Sequence, residues 1–380
     1  MIKNYLKIAW RNITRNKAFS IINIMGLALG ITCGLLIMLW VQDEKNVDAF
    51  HENKKDLFQV YERNYFDGKI DAGYSTQGLL AQELKKTIPE IQYSSGFESV
   101  AAPGSQSTFQ VGEKVAKMNG MFAGADFFSM FSFPLVQGNA VNALNEPGGI
   151  AISESMAMYF FGSAAGAIQQ TVRFENLEEL KVTAVFKNIA ANSSLQFDFL
   201  RNWADFVKQN QWVNNWGNTD PQTFIQLKPN ADPVKTEAKI KDFIYRYQEK
   251  NKSFVVELAL QPFTEKYLHA ALKNGYVDGG RIEYVHMFSI IAVFILLIAC
   301  INFMNLATAR SAKRAKEVGI RKVAGALRSS LLVQFVGEAM LTTFFAVIIA
   351  MLLTALLIPV FNQLTGKQLS VPFTQPIFYI

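Results

Sequence analysis

Residues 310–330 read RSAKRAKEVGIRKVAGALRSS, and this stretch joins two long apolar runs. It carries seven basic residues and one acid, so its net charge is +6 by count. Ile320 and Val323 are apolar residues in this charged setting, about one helical turn apart. Gly319 and Gly325 punctuate the stretch. An apolar pair rimmed by Arg and Lys suits docking into a groove of a partner protein. The alternative is a loop that only fixes the orientation of a membrane protein.

Three apolar runs are each long enough to cross a membrane as a helix, which takes about 20 residues. Residues 18–41 carry no charge, residues 285–309 carry only His286 as a titratable group, and residues 339–361 carry no charge. The sequence predicts spans at 18–41 and 285–309, and a third span with its cytoplasmic lead-in at 331–361. The first run exceeds the apolar region of a signal peptide and lacks a small-residue cleavage site after it. We therefore predict an uncleaved anchor.

Charge is distributed unevenly along the chain. Residues 1–17 carry five basic residues and no acid, whereas residues 42–284 hold 24 basic and 29 acidic residues. Short loops rich in Lys and Arg stay in the cytoplasm, while long domains cross the membrane largely regardless of charge. We therefore expect the N-terminus and residues 310–330 inside, and the domain of residues 42–284 outside. The pI of about 9.1 then reflects topology and does not indicate nucleic-acid binding.

Two features of the N-terminal region point to the membrane. Residues 1–17 show apolar and basic faces at helical spacing, which predicts a cytoplasmic amphipathic helix in the bilayer interface. A basic tag with chance periodicity is the alternative. In the first span, Gly26, Gly30 and Gly34 recur every fourth residue, and such a stripe lets another helix pack closely.

The extracytoplasmic domain, residues 42–284, has mixed α/β patterning, and strand–helix–strand units at both ends suggest two lobes. The fold class predicted is therefore an integral membrane α-helical protein with three spans and a large extracytoplasmic mixed α/β domain of two lobes. Predicted strands cover 57–66, 69–75, 92–100, 108–118, 180–189 and 253–262, and predicted helices cover 76–90, 152–162 and 231–251.

Motifs for independent chemistry are absent from the sequence. It contains no G-x-x-x-x-G-K-[ST] phosphate loop, no H-E-x-x-H, no Cys/His cluster and no G-x-S-x-G. We predict no catalytic residue, no metal site, no bound cofactor and no enzyme activity of this chain alone. The three histidines, His51, His269 and His286, are predicted at the surface or an interface, and Glu178 and Glu179 on a solvated face.

Glu338 lies near the inner end of the third span. Two interpretations stay open. It is a functional intramembrane carboxylate, or it is an interfacial partner for an Arg or Lys.

Several blocks of the chain resemble one family. KEVGIRKVAGA at 316–326 resembles the E-I-G-I-R-K-A-L-G-A signature of the MacB/FtsX-type ABC transporter permeases, and QFVGEAML at 334–341 is similar to that family's entry into the next span. The N-terminal block to residue 30 resembles the family's amphipathic start and first span. DFFSMFSFPLVQGN (126–139) and VTAVFKNIAANSSLQFDF (182–199) resemble its extracytoplasmic core domain.

The resemblance implies a permease of the bacterial inner membrane that works as a dimer with a second permease copy or half. A separate P-loop ATPase subunit would supply ATP and Mg²⁺ chemistry, and its closure would move the outer domains. Ile320 would fill an apolar pocket, Arg321 and Lys322 would pair with acids, and the glycines would allow close backbone approach. The ATPase contact then falls on Lys316, Glu317, Val318, Gly319, Ile320, Arg321, Lys322, Gly325 and Ala326.

The chain departs from the family pattern, which has four spans. Residues 362–380 are expected to form an extracytoplasmic loop at the start of a missing C-terminal part, so we expect a fragment. A membrane sensor with an extracytoplasmic ligand-binding domain, and a scaffold independent of ATP, are the alternative functions. The sequence leaves open whether the cargo is a lipoprotein, a peptide or a drug, whether the target is a cell-wall hydrolase, and whether a periplasmic adaptor or outer-membrane protein joins.

Overall fold

A computed structural model describes residues 11, 14, 17–102, 104–251, 253–313, 315–324 and 328–370. The chain divides into two compact units. The outer unit is Lys45–Ile282, and the membrane unit comprises the residues up to Glu44 and those from Glu283 onward. The predicted amphipathic helix at 1–17 lies almost entirely outside the described residues.

The membrane unit contains three long helices. They are Lys17–Lys45, Arg281–Lys313 and Arg328–Thr365, here called the first, second and third long helices. Within the described part of the chain, these three are long and apolar enough to cross a membrane. Each contains one predicted span. The third helix runs past the predicted end at 361 and stops before Gly366, whose φ of +66° ends helices readily.

Small residues form the buried contact among the three long helices. Its buried members are Leu27, Ala28, Ala299, Ala346 and Ala350. Hydrocarbon chains of lipids are as apolar as leucine, so helices in a bilayer gain from close backbone approach and hydrogen bonds instead. The hydroxyl of Thr32 donates to the carbonyl of Ala28 at 2.8 Å and lies 3.3 Å from the carbonyl of Ala350.

The outer unit is built on one mixed sheet of 13 strands, with a separate two-stranded sheet. The order is β13-β1-β12-β3-β6-β11-β8-β10-β9-β4-β5, with β2 paired to β1 and β7 to β10. Only the pairs β8/β10 and β6/β11 are parallel among the described strands. The strands are β1 Leu57–Phe66, β2 Lys69–Gly73, β3 Ile91–Ser99, β4 Ser107–Val111, β5 Lys114–Met118, β6 Gly120–Ala123, β7 Leu135–Gln137, β8 Gly149–Ser153, β9 Thr171–Phe174, β10 Glu178–Phe186, β11 Phe199–Asn202, β12 Gln222–Leu227, β13 Phe254–Pro262, β14 Leu272–Lys273 and β15 Tyr276–Val277.

Short helices cover the sheet and enclose its cores. The largest core is rich in phenylalanine and centres on Phe127, which contacts Phe97, Phe131 and Phe197. Aromatic rings bury much apolar area and prefer offset or edge contacts. The α-helices are Leu80–Thr87, Phe127–Met130, Glu154–Phe161, Ala164–Ala167, Trp203–Gln209, Pro233–Ile240 and Phe263–Lys266, and the 3₁₀ helices are Gln211–Asn214 and Phe243–Arg246.

The mixed α/β class is confirmed, but three predicted elements differ. The predicted strand 108–118 is a hairpin, because Gly112 with φ +56° turns the chain between β4 and β5. The predicted helix 76–90 is Leu80–Thr87, because the backbone N–H of Thr76 donates to Pro221 and residue 77 bridges residue 219.

The predicted helix 231–251 ends at Ile240. The carbonyl of Lys241 accepts from the backbone N–H of Leu258, which takes that carbonyl out of the helical ladder. The division into two lobes stays a prediction, since one sheet contains strands from both ends of the unit.

Candidate functional site

The helix Ala315–Val323 follows the second long helix along the chain and precedes the third; it is called the coupling helix after the role that the family resemblance implies for it. Two apolar side chains on it are open to solvent. Ile320 is 64% exposed and Val323 is 92% exposed. Positions three apart on a helix lie on the same face. The helix therefore presents an exposed apolar pair, in a stretch where the sequence is strongly basic.

Gly319 was predicted to punctuate this stretch, and that prediction is wrong. The helix passes through Gly319 without a break. A methyl group at Gly319 would meet no described atom within 4 Å, so the described residues leave space beside the helix at this point. A glycine inside an exposed helix costs about 1 kcal/mol relative to alanine, and nothing in the described contacts offsets that.

The other signature residues are described to different extents. Val318 is half-buried and Lys322 is exposed. Lys316, Glu317 and Arg321 belong to the helix, but their side chains lie outside the described part. Gly325 and Ala326 also lie outside the described residues.

The glycine stripe of the first long helix faces the second long helix. A Cβ on Gly30 would lie 2.4 Å from the Ala299 Cβ, and one on Gly34 would lie 3.1 Å from the Leu296 side chain. A Cβ on Gly26 would lie 3.4 Å from the Asn302 side-chain nitrogen. Real Cβ atoms essentially never approach to 2.4 Å, so Gly30 is the position where a side chain cannot fit.

An ion cluster that the sequence did not predict joins the first and third long helices at their C-terminal ends. The Lys367 ammonium lies 2.9 Å from Asp43 Oδ2 and 2.9 Å from Glu44 Oε1. Glu44 is 1% exposed. Burial alone lowers the pKa of Lys367, but the hydrogen bonds to Asp43 and Glu44 outweigh burial and raise it above its ordinary value.

The loop that carries Lys367 is itself held to the third helix. The Asn362 side chain donates to the Leu369 carbonyl and accepts from its backbone N–H, both at 2.9 Å. The Lys367 backbone N–H donates to the Asn362 carbonyl at 3.2 Å. The sequence signal for this cluster is weak: two acids follow the first span and a lysine follows the third. Charges at helix ends are common in membrane proteins, so this pattern does not predict that the three groups meet.

Glu338 is 7% exposed in the third long helix, and its carbonyl accepts from the Thr342 hydroxyl at 2.7 Å. This burial fits both interpretations of Glu338 made from the sequence.

Two predictions for the outer unit need correction. His51 is not at the surface: it is 1% exposed and surrounded by the rings of Phe50, Phe131, Phe133 and Phe263. The backbone N–H of Ser132 donates to His51 Nδ1 at 3.2 Å. Burial lowers the pKa of His51 to about 4.

Glu178 is not simply solvated. It accepts from the guanidinium of Arg201 at 2.6 Å. Arg201 is 1% exposed, and its guanidinium lies 4.7 Å from the Phe174 ring centroid and 5.2 Å from that of Phe122. A buried guanidinium requires a charge partner, and this pair links β11 to β10 across β8 in the interior of the sheet.

No group of three or more His, Cys, Asp or Glu side chains in the described part of the chain is arranged to hold a metal ion.

Family models match almost the whole chain in two blocks. Residues 20–243 match the MacB-like periplasmic core domain, and residues 289–380 match the FtsX-like permease C-terminal domain. The chain belongs to the MacB/FtsX-type ABC transporter permeases. With its three long apolar helices and a periplasmic core domain, this permease is an inner-membrane protein.

Curated relatives are distant in sequence but similar over most of the chain. The pyoverdine export ATP-binding/permease protein PvdT of Pseudomonas syringae pv. tomato is 21% identical over 342 residues, which cover 88% of this chain and 49% of that protein. The probable export ATP-binding/permease protein MacB of Pseudomonas entomophila is 21% identical over 353 residues, covering 90% and 49%. The permease chain thus spans about half the length of these relatives.

Among solved structures, a domain of a permease protein from Porphyromonas gingivalis aligns with a TM-score of 0.49 at 19% identity, covering 56% of this chain and 92% of that one. The periplasmic region of MacB from Actinobacillus actinomycetemcomitans aligns with a TM-score of 0.39 at 16% identity, covering 53% and 88%.

Proposed function

We propose that this chain is the permease subunit of an ABC-type transporter in which a separate cytoplasmic P-loop ATPase docks on the coupling helix. ATP hydrolysis in that subunit moves the outer unit, in export or in handling of lipoproteins or peptides. The observation that carries the proposal is the exposed apolar pair Ile320 and Val323 on a helix within a strongly basic segment. The two family domains that match the chain, and the names of its relatives, support the transporter class.

The docking step follows from the chemistry of the coupling helix. Ile320 would fill an apolar pocket on the ATPase, while Lys322, and Arg321 beside it in sequence, would pair with acidic side chains around that pocket. Apolar anchors that become fully buried carry most of an interface's binding energy, and charges at the rim mainly guide encounter. The open space beside Gly319 would let a partner's backbone approach the helix.

The transmission step relies on helix continuity. The second long helix runs without a break from Arg281, at the end of the outer unit, to Lys313, just before the coupling helix. At 1.5 Å per residue, its 33 residues extend about 50 Å. We expect a push on the coupling helix to be passed along the second long helix.

The membrane unit would move as a packed group of helices. Gly30 lets the second long helix approach the first, and the ion cluster of Lys367, Asp43 and Glu44 joins the first and third at their C-terminal ends. We propose that the stripe of Gly26, Gly30 and Gly34 serves this packing. A second permease copy or half would complete a dimer, with the N-terminus in the cytoplasm and the outer unit outside.

Co-purification tests the function directly. The tagged full chain, extracted in mild detergent from its own membranes, should co-purify with a protein that contains a P-loop sequence. Ile320→Asp would place an unpaired carboxylate in the docking pocket, which costs about 3 kcal/mol or more, a loss of at least 100-fold in affinity.

Two matched variants sharpen that experiment. Ile320→Val keeps the apolar contact and should retain the ATPase. Leu177→Asp adds the same charge at another exposed apolar residue, 86% exposed in the outer unit, and should also retain it. If no ATPase is recovered with the wild type, or if Ile320→Asp retains it, the sensor and scaffold functions are favoured instead.

A further inference from the structure

A cavity in the outer unit has an unusual set of unsatisfied acceptors. It has a volume of about 300 Å³ and opens beside β1, the start of β13 and the loop that follows the 3₁₀ helix Gln211–Asn214. Ligand pockets for small molecules start at about this size. Its polar lining includes Glu62, Asn64 and Gln77.

The acceptors come from two adjoining backbone segments. Glu62 and Asn64 are two apart on β1, so they lie on the same face of the strand. Residue 77 forms an isolated bridge with residue 219, which fixes its backbone next to the cavity. Gln77 Nε2 donates to Glu62 Oε1 at 2.7 Å. Backbone pairing of β1 and of Gln77 therefore fixes where Glu62, Asn64 and Gln77 begin beside the cavity.

These side chains are buried without full satisfaction. Glu62 is 4% exposed and Gln77 is 3% exposed. Among the described groups, no donor reaches the buried Asn64 Oδ1 or the buried Gln77 Oε1. An unmet buried acceptor costs about 1–3 kcal/mol, so two of them beside a carboxyl group form an arrangement that a donor would stabilise.

The charge and the rings around the cavity favour a cationic donor. The described lining holds two carboxylates, Glu62 and Glu249, and no Lys or Arg. Trp216 and Tyr245 also line it, but the Lys250 ammonium already lies 4.9 Å from the Tyr245 ring centroid, so Trp216 is the ring left for a further cation. The Trp216 ring stacks on Tyr247 at 4.0 Å with an angle of 3°, which holds the indole in place. Indole and phenol faces attract cations.

We propose that this cavity binds a primary ammonium group of a small molecule, which would donate to Glu62, Asn64 and Gln77 beside the Trp216 ring. An ammonium has three N–H donors and no acceptor, which matches three acceptors in number and polarity. Burial raises the pKa of Glu62 to about 7, and an ammonium bound beside it would favour the ionised carboxylate. The site is independent of the coupling helix.

Isothermal titration calorimetry on the full chain in detergent tests this proposal. Hexane-1,6-diamine should bind saturably with one molecule per chain, and hexan-1-ol, which is of similar length but neutral, should not. Triglycine and N-acetyl-triglycine separate two sources of the amine. Binding of triglycine but not of N-acetyl-triglycine would show that a peptide N-terminus is accepted. Binding of the diamine without binding of triglycine would restrict the site to alkylamines.

Substitutions locate the site. Glu62→Gln keeps the size of the side chain, removes the charge and should weaken diamine binding at least tenfold. Asn64→Leu removes one acceptor while keeping a side chain branched at Cγ, should also weaken binding, and decides the matter if Glu62→Gln does not fold. Glu98→Gln neutralises another partly buried carboxyl outside the cavity and should leave the affinity within twofold.

Several results would overturn the proposal. They are no saturable binding of any amine at millimolar concentration, equal binding of the diamine and the alcohol, binding of Ca²⁺ alone, and unchanged affinity in Glu62→Gln and Asn64→Leu chains that melt at the wild-type temperature.

Discussion

Gly30 and Ala299 face each other so closely that a Cβ on Gly30 would lie 2.4 Å from the Ala299 Cβ. The first and second long helices can keep this separation only while residue 30 has no side chain. The contact occurs in the buried cluster where the third long helix contributes Ala346 and Ala350. The absence of a side chain at Gly30 thus allows the close spacing of the first and second long helices.

Gly30→Ala is expected to destabilise the membrane unit by about 1–3 kcal/mol, because the added methyl forces the backbones apart. Gly26→Ala should have little effect, since its Cβ would lie 3.4 Å from a side-chain nitrogen at the end of Asn302. The measurement is the thermal midpoint of the full chain in detergent. Gly337→Ala is the control, because its Cβ would meet nothing within 4 Å. An unchanged midpoint for Gly30→Ala would contradict the close approach.

Lys367→Met is expected to lower the free energy of unfolding by roughly 3 kcal/mol, because it removes the ammonium that lies 2.9 Å from Asp43 and from the buried Glu44. The pKa of Lys367 is raised in the folded state. The stabilisation that the Lys367 charge contributes is therefore complete below its unfolded pKa near 10.4. It is lost only as pH rises through the higher pKa of the folded state. Chemical unfolding of the two chains at pH 7 and pH 9 should give the same difference.

The control for that experiment is Lys273→Met. Lys273 lies 3.9 Å from Asp278, and both side chains are largely exposed. Exposed pairs contribute little, so this variant should unfold like the wild type. Equal effects of the two substitutions would show that the Lys367 cluster does not hold the helices.

His51 is expected to destabilise the outer unit in mild acid. Its pKa is about 4 when folded and 6.5 when unfolded, so the unfolded chain takes up the proton first as pH falls. The contribution of His51 to the free energy of unfolding is complete above pH 6.5 and falls by about 3 kcal/mol in total between pH 6.5 and pH 4. Urea unfolding followed by tryptophan fluorescence reports this, because Trp203, Trp212 and Trp216 lie in the outer unit.

His51→Phe isolates this contribution, because Glu62, with its pKa raised to about 7, titrates in the same range with the opposite sign. The stability difference between wild type and variant should fall from pH 7 to pH 4. A difference that stays constant over this range would mean that the pKa of His51 is the same in the folded and the unfolded chain.

Local signals in the sequence were sufficient where neighbouring residues decide the structure. The helix predicted at 152–162 is confirmed as Glu154–Phe161, and local residues bound it. The Ser153 hydroxyl accepts from the Met156 backbone N–H at 3.3 Å, and Gly162 has φ +79°. The strands predicted at 57–66 and 69–75 are confirmed as β1 and β2, which form a hairpin through Asp67-Gly68. Both residues of that turn have positive φ, which Asp and Gly tolerate well.

Long-range contacts were beyond the sequence. His51 is buried because three phenylalanines from distant parts of the sequence, Phe131, Phe133 and Phe263, surround it, and no periodicity around residue 51 indicates that. The pairing of Arg201 with Glu178 joins two strands that the pattern does not relate. The helix ending at Ile240 depends on a hydrogen bond from Leu258, so an unbroken amphipathic pattern was misleading there.

Photo-crosslinking from the coupling helix tests the central claim most directly. A benzoylphenylalanine at position 320 of the full chain, irradiated in native membranes, should crosslink to a protein whose peptides contain a P-loop sequence. The same group at position 177 in the outer unit should not. Absence of that crosslink from position 320, or the same crosslink from both positions, would contradict ATPase docking on the coupling helix.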